Sequence, residues 1–271
     1  MKVGYQGEGL SYSDQAVREL FPEAERVGFN GFAHAFHALR DGEVDRLVLP
    51  IENSTTGSVL PVLDRLTRNR ASIVGEHLVE VRHALIGLPG ATLEGIETVR
   101  SHPQALAQAD DRIEQAGWEP LATYDTAGAV RLIARMGDPT AAALAPPETA
   151  VGYGVEVLAR DFMDREHNTT RFVVLVADGY EVAPDANKTS FVFATAHSPG
   201  ALALSLTELG LRGANLTRLE SRPAEEAWKY RFYADMLHRP GPGGVKAVLE
   251  PRPATVAELR VLGTYRAADP R

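Results

Sequence analysis

No cysteine occurs in the 271 residues, which excludes disulfides, thiol nucleophiles and cysteine metal sites. Long apolar runs are missing too. No stretch is hydrophobic enough to span a bilayer, and Met1-Lys2-Val3-Gly4-Tyr5 enters a strand without the apolar core of a signal peptide. A cytoplasmic protein with no membrane partner is expected. Basic residues are not in excess: 28 Lys and Arg stand against 36 Asp and Glu, a net charge of −8 that argues against a nucleic-acid partner. It leaves an anionic small substrate open, because local donors outweigh a distant screened field. P-loop, zincin and hydrolase-elbow motifs are absent. Gly7 and Gly9 make a poor dinucleotide fingerprint, lacking the third glycine and the trailing acidic residue. His34 and His37 stand three apart on a helical stretch, but no third ligand accompanies them, so a solvated helix face is favoured over a metal site. The chemistry is expected to need no nucleotide, metal or other cofactor.

What is present is ordinary globular composition, 44% hydrophobic and 24% charged, in a length that suits one large domain or two of common size. Short apolar strands at 2–6, 26–29, 46–51, 98–101, 120–124 and 141–144 alternate with helical stretches at 14–21, 30–40, 59–68, 103–117, 127–136 and 147–153. Such alternation implies an α/β fold of βαβ units with mostly parallel sheets. Residues 72–87 read as one long extended segment between two runs of this pattern, so two lobes are expected with a crossover there. A strand at 171–176 would return the chain to the first lobe. The polar, Gly- and Pro-containing stretch 178–187 is a linker. After it the rhythm changes to strands at 189–196, 215–221, 228–236 and 259–263, with helices at 200–209 and 245–249. That βαββαβ order is the ferredoxin-like pattern, and Pro251 and Pro253 should end its second helix early.

In open parallel sheets ligands bind beyond the carboxyl ends of the strands. Polar clusters fall at such turns: Gly7 to Ser13, Glu52-Asn53-Ser54-Thr55-Thr56, Ser101-His102-Pro103-Gln104, and Asp125-Thr126. Each helix start is a natural anion seat. Ser13, Asn30 and Asp125 are equally explained as helix caps, and Glu52 as a paired carboxylate. The stretch Asn168-Thr169-Thr170-Arg171-Phe172 sets three kinds of donor at the mouth of a buried strand. It suits a small, anionic, hydroxylated ligand, since Arg171 offers a planar fork and Thr170 a hydroxyl. The same stretch also fits a strand edge with solvated polar residues.

These residues match a known pattern. Gly4-Tyr5-Gln6-Gly7, Ser11-Tyr12-Ser13, Leu49-Pro50-Ile51-Glu52-Asn53-Ser54, Gly57-Ser58-Val59, Ser101 through Gln108, Asp125-Thr126-Ala127-Gly128-Ala129 and Asn168 through Phe172 occur in order. So do Lys188-Thr189-Ser190, Pro199-Gly200-Ala201-Leu202, Asn215-Leu216-Thr217, Glu220-Ser221-Arg222-Pro223 and Leu262-Gly263-Thr264-Tyr265. The chain resembles the prephenate dehydratase family along nearly its whole length. The resemblance implies a two-lobed catalytic domain like a type II periplasmic binding protein over 1–178, with crossovers near 75–87 and 160–170. It also implies a regulatory ACT domain over 187–271.

The implied reaction turns prephenate into phenylpyruvate, carbon dioxide and water in phenylalanine biosynthesis. The resemblance assigns the key catalytic role to Thr170, with Arg171, Asn53, Ser54 and Glu52 beside it. Ser11, Ser13, Ser101, Gln104, Thr126 and Phe172 would bind substrate, with Arg171 holding the side-chain carboxylate. Phenylalanine would bind as effector at Gly200, Ala201, Leu202, Asn215, Leu216, Glu220, Ser221 and Arg222, in a homodimer or homotetramer. Two departures stand out. Gly9-Leu10 replaces the family's Pro-Gly pair, and because leucine does not readily hold a positive φ, the loop is expected to take another path. Pro251 and Pro253 interrupt the last helix of the ACT part. Rival readings are an arogenate dehydratase, a non-catalytic small-molecule binding protein and an amino-acid sensor. The intact catalytic motifs argue against the last.

Overall fold

The structure, a computed structural model, describes residues 1–165, 167–177, 179–224 and 230–269. In chain order it runs β1 Lys2–Gln6, α1 Tyr12–Leu20, β2 Glu25–Phe29, α2 Phe32–Arg40, β3 Arg46–Asn53, β4 Gly57–Ser58, α3 Leu60–Arg68, β5 Ala71–Glu80 and β6 Ala84–Gly87. A 3₁₀ turn at Leu93–Gly95 leads to β7 Thr98–Ser101, α4 Pro103–Ala107, α5 Asp110–Ala116, β8 Glu119–Ala122, α6 Thr126–Met136, β9 Ala141–Ala145, α7 Glu148–Tyr153 and β10 Glu156–Ala159. Then come β11 Thr169–Ala177, β12 Lys188–Thr195, α8 Ala201–Leu211, β13 Asn215–Pro223, β14 Tyr230–Leu237, α9 Pro242–Leu249 and β15 Val256–Tyr265. The chain divides into two compact units, Met1–Val62 with Leu78–Phe172, and Leu63–His77 with Val173–Arg271.

The first unit holds two sheets. In one, β1 lies between β2 and β3, parallel to both. The other has the order β10-β6-β9-β7-β8. The expectation of mostly parallel sheets is corrected here, because β6 runs antiparallel to β9 and β10 while β7 is parallel to β8 and β9. The parallel strands are those joined by crossover helices, as parallel pairing requires. Strand β9 is Ala-Ala-Ala-Leu-Ala, fully buried on both faces. One face packs with Val130 and Ile133 of α6, the other with Leu106 and Ile113 of α4 and α5. Small side chains suit a central strand covered on both sides.

Three local expectations change. Residues 72–87 form two strands, and the break is held where the Val81 N–H donates to the Asn168 carbonyl at 2.7 Å. The stretch 103–117 forms two short helices parted at Gln108-Ala109, where the backbone of Ala109 leaves helical geometry (φ −128°, ψ 20°). Leu10 does adopt a positive φ, 66°, against the expectation that it would not. The left-handed region costs a side-chain-bearing residue ~1–2 kcal/mol. Here the Leu10 N–H donates to the buried Asp14 carboxylate at 3.0 Å, and the Leu10 side chain lies over Gly152, where a Cβ would collide with it.

The second unit contains β12-α8-β13-β14-α9-β15, with strand order β13-β14-β12-β15 and every neighbouring pair antiparallel. This is the βαββαβ order expected from the sequence. Trp228, the first residue of the strand expected at 228–236, lies outside the described residues. Phe191, Phe193, Leu209, Met236 and Val248 form its core under the two helices. Helix α9 ends at Leu249, ahead of Pro251. Strand β15 continues onto β5 in parallel at Gly263 opposite Ile73. Among the described residues no helix is long and apolar enough to cross a membrane.

Candidate active site

A cavity of about 580 Å³ opens in the first unit. Its lining comes from the start of α1 (Ser11, Tyr12, Ser13), the end of β3 (Pro50, Asn53), α4 (Gln104, Ala105), the start of α6 (Asp125, Thr126) and β11 (Thr170, Phe172). The predicted residues Thr170, Asn53, Ser11, Ser13, Gln104, Thr126 and Phe172 are thus brought together. Phe32, Val59, Pro61 and Val81 make an apolar part of the wall.

Thr170 and Asn168 lie two residues apart at the mouth of β11, and β-strand alternation puts them on one side. Asn53 Nδ2 donates to Thr170 Oγ1 at 3.0 Å and to Asn168 Oδ1 at 2.7 Å. Asn53 Oδ1 accepts from the backbone N–H groups of Thr55 and Thr56 at 3.0 and 3.1 Å. Backbone donors therefore fix which way the Asn53 amide faces. The Thr170 oxygen is an acceptor in this bond, which leaves its own proton to be given elsewhere. Gln104 Nε2 donates to Thr56 Oγ1.

Four predicted residues lie outside the lining and hold the frame instead. Arg171 is buried, and its Nε and Nη2 both stand 3.0 Å from Glu52 Oε2. The fork expected to hold substrate is thus turned onto Glu52. Ser54 clamps β11: its N–H donates to the Thr169 carbonyl and its hydroxyl accepts from the Thr169 N–H, each at 2.9 Å. Ser101 is fully buried and donates to the Leu144 carbonyl at 2.6 Å.

Tyr12, His83 and Gln108, to which the sequence assigns no site role, join Asn168 in a partly buried hydrogen-bonded chain, and all three line the cavity with Thr170. The Tyr12 hydroxyl lies 3.2 Å from His83 Nδ1, His83 Nε2 lies 3.1 Å from Gln108 Oε1, and Asn168 Nδ2 donates to Gln108 Oε1 at 2.8 Å. Burial lowers the His83 pKa to about 4, so its imidazole is neutral at neutral pH, and burial also raises Tyr12 well above the usual phenol value. These residues are 25 to 71 positions apart where they touch, so no local pattern announces them. Asp125 caps α6 through the Gly128 N–H. Its Oδ2 is buried with no hydrogen-bond partner among the described residues, and burial raises its pKa.

In the second unit Gly200 caps α8 with φ 78°, Ala201 and Leu202 form the first turn, and Asn215 and Leu216 open β13. Glu220 pairs with Arg218 at 2.7 Å, Ser221 is exposed, and Arg222 Nη2 stands 3.6 Å from Asp64. The Arg222 Nε is buried without a hydrogen-bond partner among the described residues.

Comparison with known proteins places the chain in a family. The family model "Prephenate dehydratase" matches residues 3–179. The chain is similar to "Arogenate dehydratase/prephenate dehydratase 2, chloroplastic" of Arabidopsis thaliana, 37% identical over 278 residues, 98% of this chain and 72% of that protein. It is 36% identical to "Arogenate dehydratase 2" of Petunia hybrida, over 98% of this chain and 71% of that one. A solved structure, prephenate dehydratase from Arthrobacter aurescens in complex with L-Phe, superposes with a TM-score of 0.88 at 28% identity, covering 98% of this chain and 90% of that one. The chain belongs to the prephenate dehydratase family.

Proposed function

We propose that the protein is a prephenate dehydratase, with a catalytic part over 1–178 and the reaction in the cavity beside Thr170. The observation that carries this reading is the Asn53–Thr170 hydrogen bond, which makes the threonine oxygen an acceptor and aims its proton away from Asn53. In prephenate the bond from ring to carboxylate breaks, its electron pair enters the ring, and the ring hydroxyl leaves. Carbon dioxide, water and an aromatic product result, with one proton taken up. Hydroxide is a poor leaving group, so a donor on the departing oxygen is the main requirement, worth about 10²–10⁴-fold. Thr170 supplies that donor and Asn53 holds it. The apolar wall of Phe32, Val59, Pro61 and Val81 suits the departing carboxylate, whose charge is poorly solvated there. Ser11, Ser13, Gln104, Thr126 and Phe172 enclose the substrate, while Glu52, Arg171, Ser54 and Ser101 fix the walls. No cofactor enters the reaction.

The βαββαβ part, 187–271, is assigned as an ACT regulatory domain that binds L-phenylalanine at Gly200, Ala201, Leu202, Asn215, Leu216, Glu220, Ser221 and Arg222. Two observations support it: the Arg222 Nε, which has no hydrogen-bond partner among the described residues, and the L-Phe complex of the Arthrobacter aurescens protein. A cytoplasmic homodimer or homotetramer goes with this reading, and the exposed Leu204, Leu211 and Leu219 on α8 and β13 suit subunit contact. A second reading, arogenate as substrate, has its own support in Asp125, a carboxylate of the cavity lining suited to an ammonium group.

Incubation of the purified protein with prephenate and with arogenate tests both readings. Phenylpyruvate, read by its absorbance in alkali, is the expected product. Conversion of arogenate alone to phenylalanine would transfer the assignment, and no conversion of either would end it.

A further inference from the structure

The hydrogen bonds around Thr170 and Asn53 have a sense that can be followed outward from the backbone. The N–H groups of Thr55 and Thr56 can only donate, so the Asn53 atom they reach is Oδ1, and Nδ2 faces Thr170 and Asn168. Asn168 accepts at Oδ1, so its Nδ2 is the atom that donates to Gln108 Oε1. Gln108 Nε2 then donates to Thr55 Oγ1 at 3.0 Å, and Thr55 Oγ1 donates to Asn53 Oδ1 at 2.7 Å, closing a ring. Gln108 Oε1 is left only to accept, so His83 Nε2 carries the hydrogen. A neutral imidazole then accepts at Nδ1, and the Tyr12 hydroxyl donates to it.

Asn168 is buried, and with Gln108 and Thr55 it borders a second cavity of about 320 Å³. The oxygen and nitrogen ends of an amide are alike in shape, so hydrogen bonds set which way each one faces. We propose that Asn168 is a positioning residue for Thr170. It accepts the second hydrogen of the Asn53 amide and, through Gln108, holds His83 as its Nε2–H tautomer. The kinetic half of this inference rests on the dehydratase reading, and the tautomer half does not.

The test begins with the unaltered full-length protein, labelled with ¹⁵N in its histidine rings and examined by NMR at neutral pH. Loss of signals in His83→Gln assigns them. A protonated Nε2 and an unprotonated Nδ1 are expected; the opposite tautomer, or a mixture, overturns the proposal. This measurement needs no substrate, so it stands even if the dehydratase assay fails. Asn168→Leu keeps the side-chain size and removes the acceptor. Its kcat should fall at least about tenfold with KM within about twofold, the signature of a loss confined to the transition state. Asn168→Asp accepts from Asn53 in either protonation state and should restore kcat to within about threefold of the starting protein. A folded Asn168→Leu that keeps more than half its turnover, or an Asn168→Asp no more active than it, overturns the positioning role. Should Asn168→Leu not fold, the tautomer and the Asn168→Asp kinetics still decide.

Discussion

Asn53 donates to the Thr170 oxygen, which directs the threonine proton elsewhere, in the proposed reaction to the departing hydroxyl. Thr170→Ala should therefore lower kcat by about 10²–10⁴-fold with little change in KM, while Thr170→Ser retains much of the rate. Steady-state kinetics on prephenate checks this, and an alanine variant at half the normal turnover would remove Thr170 from the mechanism. Arg171 faces Glu52 and lies outside the cavity lining. Arg171→Lys keeps the charge but loses the two-atom contact, so stability should fall by about 1–3 kcal/mol with KM within about twofold. A large rise in KM without loss of stability would return Arg171 to the substrate. His83 bears on pH. Its pKa is about 4 when folded, against 6.5 for the exposed group, so between those values the unfolded chain binds a proton that the folded chain does not. Stability is fully present above pH 6.5 and falls as pH drops toward 4, by up to about 3 kcal/mol. Urea unfolding of the protein and of His83→Gln across that window should show a shallower fall in the variant.

At the scale of strands and helices, β15 approaches β5 closely at Gly263. A Cβ there would run into the Ile73 carbonyl and side chain, and backbone cannot step aside as a flexible side chain can. Gly263→Ala should cost on the order of 2–4 kcal/mol in urea denaturation. A loss below half a kcal/mol would mean that the strands separate without penalty. Gly263 also shows what a sequence tells and withholds. It stood out within Leu262-Gly263-Thr264-Tyr265, but its reason, a strand 190 residues earlier in the chain, lies in no local pattern. Alternating apolar segments disclosed most strands and helices because period and burial are local properties. The breaks at Val81-Arg82-His83 and at Gln108-Ala109 were hidden, since an apolar pattern continues across both and the polar partners that impose them come from distant segments. The same holds at the cavity. Thr170 and Asn53 were legible as polar residues at strand ends, whereas Ser101, equally polar, proved to bond a neighbouring strand's carbonyl. The positive φ of Leu10 is not legible in the sequence, because the carboxylate of Asp14 and the bare backbone of Gly152 offset its strain and neither is visible from Leu10 itself.

At the scale of the whole molecule, phenylalanine and substrate should each weaken the other's binding by the same factor, a coupling of about 1–3 kcal/mol. Calorimetric titration of each in the absence and presence of the other checks the equality. Asn215→Ala should raise the phenylalanine concentration needed for inhibition at least about tenfold, with turnover in its absence within about twofold. Undiminished inhibition of that variant, with phenylalanine competing directly against substrate, would place the effector in the catalytic cavity. The discontinuous second unit carries a lesson for recombination among relatives. Leu63–His77, coded well before the βαββαβ part, folds with it: Thr67 meets Tyr233, Glu76 meets Lys188 and Ile73 meets Gly263. A transplanted βαββαβ part that leaves this insert behind would arrive without the strand that pairs with β15 at Gly263 and with a buried lysine bereft of its carboxylate. Grafts should therefore exchange the two segments together.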